Sequence, residues 1–288
     1  MFTQSVAPFS LGELPLQHYN NLLCISHLNE HADSICLHHN DDVLSLIERS
    51  ANLDARSSTG PKNTLNPLNK KLSAEASASK AVSSVSIFEM NKFIVRSFLS
   101  AILPVDTVSH KSQSIGMEYL EMHRFLCSNP ALKIIEIYNV NGQLSTETQS
   151  RQTIGTCKWN PFLKTFLALL PRYGKGLEPG HHSQEPYISL NSLLIARGQD
   201  AASSVLWKDY EMIKRSLNPV EWNPFTVDFW SAKNGVFNSL CDDVNNKKIN
   251  ASLTVCMNRN KCVEYLKEVI NKVKYFDFFI HKTTFDLD

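Results

Sequence analysis

Apolar and polar positions along this chain recur mostly at helical spacing, with few runs of strand character. Residues 11–50 read as helical and end in "DDVLSLIERS", where Asp41 or Asp42 caps and Val43, Leu46 and Ile47 share a face. In "SIFEMNKFIVRSFLSAIL", Ser86 and Glu89 form a capping box. Ile87, Phe88, Phe93, Ile94, Phe98 and Ile102 then repeat at helical spacing until Pro104 stops the helix. "ALKIIEIYN" (131–139) is a β-rich run closed by the turn signal "NVNG". "WNPFLKTFLALL" (159–170) reads as a central helix, apolar on most sides and ended by Pro171. Further helices are expected at 203–217 and near "WNPFTVDFW". In "NKCVEYLKEVINKVK", Cys262, Leu266, Val269, Ile270 and Val273 form one stripe, and "YFDFFIH" closes the chain as a strand.

Between the first two helical regions the pattern fails. Residues 55–84 are rich in Ser, Ala, Asn, Lys and Pro, with no aromatic residue and no sustained period. Such a segment buries too little to offset its ordering entropy, so it reads as a linker. The expected organisation is a helical N-terminal region (1–54), the linker (55–84) and a main domain (85–288). The fold class is α+β, helix-rich, with a small antiparallel sheet and no regular βαβ alternation. "WNPF" occurs at 159–162 and 222–225 without similarity around it, so both copies read as ordinary helix starts, Asn capping and Pro at the first position.

Composition narrows the function classes. At 288 residues the chain can bury a sizeable core. A net charge of +1 gives no field to recruit nucleic acid or an anionic membrane. The apolar runs are too short to span a bilayer, and no cleavable signal peptide is apparent. Seven cysteines at irregular spacings read as reduced thiols of a cytosolic protein. No Gly-rich phosphate loop, His-Glu-x-x-His or Gly-x-Ser-x-Gly motif is present.

The candidate chemistry lies in "SRQTIGTCKWNPFLKTFLALLPR" (150–172). A cysteine attacks as thiolate, and a helix N-terminus or a neighbouring histidine favours that form. Cys157 precedes the apolar helix, Gln152 offers a side-chain amide to an acyl oxyanion, and Gly155 lets the backbone turn between them. "MHRFLCSNPALKIIEIYNVNG" reads either as a hairpin with His123 and Asn139 at neighbouring strand ends, or with "SIGMEYLEMHRFLC" as a helix. In the hairpin, His123 is the base and Asn139 its orienter.

The order His, Asn, Gln, Cys resembles that of ubiquitin-like-protein proteases and of bacterial effector acyltransferases built on the same papain-like fold. The resemblance covers roughly residues 115–172. It implies Cys157 as nucleophile, Gln152 as oxyanion donor, His123 as base and Asn139 as its orienter, with no cofactor. It implies a protease, deamidase or acyltransferase acting on a host protein, in a ubiquitin or ubiquitin-like system, after secretion into a host cell. The alternative is a non-catalytic protein that binds a host factor through its helical domain.

Other readings stay open. His181, His182, or His281 with Asp286, can supply a base in the order Cys before His. Cys24, His27, His31, Cys36, His38 and His39 offer zinc ligand types, His27 and His31 sharing a helical face, but match no standard finger spacing.

Overall fold

The computed structural model describes residues 1–10, 16–58, 85–103, 105, 118–142, 159–171, 186–198, 201, 207–232 and 251–285, without the side chains of 52–58 and 276–285. Six strands form one mixed sheet in the order β1-β2-β3-β6-β4-β5. They are β1 (Phe2–Ala7), β2 (Ser34–His39), β3 (Ile134–Gly142), β4 (Ser189–Gly198), β5 (Val227–Ala232) and β6 (Ala251–Arg259). β1, β2 and β3 pair in parallel, as do β4 and β5, while β6 runs antiparallel to both its neighbours, β3 and β4. The last strand therefore fills the slot left between β3 and β4.

The helices are α1 (Leu16–His31), α2 (Asn40–Ser58), α3 (Ile87–Ile102), α4 (Tyr119–Leu126), α5 (Trp159–Leu169), α6 (Tyr210–Leu217) and α7 (Lys261–Phe285). Side chains alternate across each strand, and the two faces are covered differently. Ile135, Ile137, Leu193, Ile195 and Cys256 meet Ala101 of α3 and Met122 and Leu126 of α4. On the opposite face Tyr138, Leu194, Val255 and Met257 meet α2, α5 and α6. Ile35 and Leu37 meet Ile25 of α1 and Leu266 of α7. With helices on both faces, β6 is buried at every position and β4 at all but one. At the end of β3, the Phe162 ring of α5 occupies the space a side chain on Gly142 would need, so a larger residue there would have to displace the ring.

Several expectations are corrected here. The sheet is six-stranded and mostly parallel, where a small antiparallel sheet was expected, and β1-α1-β2 and β4-α6-β5 are βαβ units. Residues 11–50 are interrupted by β2, and β1 and β2 join the same sheet as the rest. The second "WNPF" leads into strand β5, not a helix, and the segment expected as a closing strand continues α7. The linker lies outside the described residues apart from its first positions, which extend α2.

α3 forms with its capping box intact: Ser86 Oγ accepts from Glu89 N, and Glu89 accepts from Ser86 N. Its buried stripe is Met90, Ile94, Ser97 and Ala101, which leaves Ile87 and Phe88 in solvent. Ser100 is buried beside that stripe with its hydroxyl bonded. Ser100 Oγ donates to Ser97 O and accepts from Thr254, and the Arg197 guanidinium donates to Ser100 O.

Candidate functional site

Only some of the residues expected to act together fall within the described structure. Gln152 and Cys157 lie outside the described residues, as do His181, His182 and Asp286. His123 sits on α4, so the helical reading of its segment holds and the hairpin does not form. Met122 and Leu126 anchor that helix, both fully buried. The His123 ring stacks on Tyr119, whose hydroxyl meets Ser34 Oγ at 2.6 Å, at the start of β2. Asn139 lies near the other end of the sheet. Ile134 is opposite Ile35, and Asn139 is five positions further along β3, roughly 16 Å at strand rise. Its amide donates to Thr254 Oγ1 at 2.9 Å and Leu253 O at 3.3 Å, a satisfied bond set under α3. His123 and Asn139 are not brought together.

Nor do the described cysteines offer a ready thiolate inside the fold. Burial pushes Cys127 up to about 11 and Cys256 up to about 12, and it raises Cys36 well above the ordinary thiol range. Cys24 is exposed on α1. Among the described residues no group of three or more His, Cys, Asp and Glu side chains is arranged to hold a metal ion. Cys36 and His38 touch (Sγ to Nε2, 3.3 Å) on β2, whereas the His27 and His31 rings meet at a tilt on α1. No described helix is long and apolar enough to cross a membrane.

A buried charge network occupies the face under α2 and α7. Arg259 pairs with Glu136, and Lys261 pairs with Asp42. The Tyr138 hydroxyl lies among them, 2.9 Å from Glu136, 3.1 Å from Asp42 and 3.1 Å from Lys261 Nζ. Burial opposes the charge on Arg259 most strongly, but Glu136, Tyr138 and Tyr187 together outweigh it and raise its pKa. Burial also pushes the Lys261 ammonium down to about 7, against the raising effect of Glu264 and Asp41. Two acids and two bases meet in this set, so each charged group has an opposite partner, the arrangement burial requires. Asp42 and Lys261 of this network line an open cleft of about 930 Å³ among the segment after β1, the first turns of α2, the end of α5 and one stripe of α7.

The second feature is the loop between α6 and the edge strand β5. α6 ends at Asn218 in the left-handed conformation (φ 45°), a position asparagine tolerates, and its amide donates to Tyr187 O. Ser189 and Val220 then exchange backbone bonds with the loop and with β4, so residues 218–226 run beside 187–191. Asn223 pins the turn: Nδ2 donates to Asn191 Oδ1 at 2.8 Å, and Oδ1 accepts from Phe225 N at 3.0 Å. Asn191 in turn donates to Phe125 O at the end of α4. On this fixed backbone Trp222 is 74% exposed and Phe225 79%, with Ile188 half-exposed on the neighbouring segment. The sequence reading missed this loop by treating "WNPF" as a helix start; two large aromatics around Asn-Pro were its only signal.

No protein-family model and no curated protein matches the chain.

Proposed function

We propose that this chain is a binding protein that engages another protein through the loop 219–226, with Trp222 and Phe225 as its anchors. One observation carries the reading: two aromatic side chains stand in solvent on a backbone fixed by Asn223 and Asn191. Large aromatic side chains held in solvent on a short fixed loop are the kind of exposed apolar surface that contact sites use. Trp is the residue type most enriched among binding hot spots. A turn already pinned by side-chain bonds loses little further freedom on docking. The partner this chemistry fits offers an apolar pocket for each ring, with a hydrogen-bond acceptor near the Trp222 indole N–H.

The test replaces Trp222 with a photo-crosslinking phenylalanine analogue in cells that express the chain. The expected result is one discrete adduct, lost when Phe225→Ser is added. The purified partner should then bind the unmodified chain at least tenfold more tightly than Trp222→Ser. Adducts no different from those at an exposed control position such as Lys208 overturn the reading. The thiol mechanism expected from the sequence is a separate proposal resting on Cys157, and thiol labelling tests it.

A further inference from the structure

The last two turns of α1 carry a pair of side chains that neither the aromatic loop nor the charge network uses. The inner face of this helix is anchored. Ile25 is buried with Ile35 and Leu37 of β2, and Leu28 packs against that cluster. Asn21 Nδ2 donates to the Tyr265 hydroxyl of α7 at 2.5 Å. Ala32 N closes the final turn on Leu28 O at 2.8 Å, and the chain enters β2 at Ser34. The outer face of the helix end is therefore held by the inner one.

His27 and His31 stand on that outer face, both exposed and one helical turn apart. Their ring centres are 4.2 Å apart, with the ring planes tilted by 31°. His31 Nδ1 lies 3.0 Å from His27 O. A carbonyl oxygen only accepts, so Nδ1 carries the hydrogen and, in the neutral ring, Nε2 carries the lone pair. Metal-bound imidazoles are oriented by a second-nitrogen bond of this kind. The Glu30 carboxylate, 4.0 Å from the same ring, adds negative charge beside it. Metal–nitrogen bonds of about 2.0–2.1 Å put two ligating nitrogens on one ion roughly 3–3.4 Å apart. Rings whose centres are 4.2 Å apart reach that separation without movement of the backbone.

We infer that His27 and His31 form a two-histidine clamp for a divalent transition-metal ion of the Ni²⁺, Cu²⁺ or Zn²⁺ type, water completing its coordination. Imidazole suits those ions, whereas Mg²⁺ and Ca²⁺ take oxygen ligands. Two side chains carry the site, so it stands apart from the larger ligand groups that the described residues lack.

Footprinting with diethyl pyrocarbonate, read by peptide mass spectrometry, follows each histidine of the full chain separately. Ni²⁺ in slight excess should slow modification of His27 and His31 together by about tenfold or more, and Mg²⁺ should not. In His27→Gln, His31 should lose its protection at the same Ni²⁺ concentration, and His27 should lose its own in His31→Gln, because one imidazole forfeits the chelate. Both rings are exposed, so these variants keep the fold. Cys24→Ser should retain the protection, which separates the pair from the exposed thiol earlier on α1. Protection of other histidines alone, which is an adventitious ion only, overturns the proposal. So does His31 still protected in His27→Gln, protection lost in Cys24→Ser, or equal protection by Mg²⁺. None of these results bears on the loop at Trp222, so the two readings fail separately.

Discussion

Asn223 and Asn191 are joined side chain to side chain, Nδ2 to Oδ1 at 2.8 Å, and this bond ties an exposed aromatic loop to the first turn of a central strand. Asn223→Ala should remove both that bond and the acceptor for Phe225 N, costing about 1–3 kcal/mol in urea unfolding. Trp222→Ser and Phe225→Ser should change stability by no more than about 0.5 kcal/mol, since neither ring is packed. A large loss of stability in either serine variant would mean the rings hold the fold and leave no anchor for a partner.

Acid should weaken the fold through His38. This imidazole is buried on β2 between Gln4 and Cys36, and burial pushes its pKa from 6.5 down to about 4. Between those values the unfolded chain binds a proton that the folded chain refuses. Stability is therefore full above pH 6.5 and falls as pH drops toward 4, by about 3 kcal/mol over the window. Urea midpoints at pH 7 and pH 4.5 should differ more for the wild-type chain than for His38→Gln. Equal pH slopes would remove His38 from the account.

The Arg259–Glu136 pair has neither charge in solvent. Arg259→Met should cost about 3–5 kcal/mol, because it leaves the Glu136 carboxylate buried without its main partner. Arg259→Met combined with Glu136→Leu should recover at least half of that loss. A double variant no better than the single would show that the remaining bonds to Tyr138 and Lys261 decide the cost.

Thiol chemistry is tested by labelling. If Cys157 is a nucleophile, iodoacetamide at pH 6 should modify it faster than any other cysteine, including exposed Cys24. Cys36, Cys127 and Cys256 should label slowest, being buried with raised thiol pKa values. A Cys157 rate at or below that of Cys24, read by peptide mass spectrometry, removes the thiol proposal.

Local sequence determined what local interactions control. The capping box at Ser86 and Glu89, the end of α3 before Pro104, the apolar α5 ended by Pro171 and the strand character of 134–139 all arise from neighbouring residues. The two copies of "WNPF" show where that control stops. Asn160 donates to Asp209 at 2.6 Å from within α5, because "LKTFLALL" behind it supplies a helical apolar face. Asn223 closes a turn, because "TVDFW" behind it has the β-branched and aromatic residues that pair with β4. One tetrapeptide takes two forms, set by the residues C-terminal to it and by the element packed opposite. The sheet itself was not legible, since β6 enters between β3 and β4 only after the whole chain between them has been laid down. The same holds for the candidate sites. Asp42 meets Lys261 across most of the sequence, and Asn191 meets Asn223 across a helix, pairings set by strand order and register that no local period encodes.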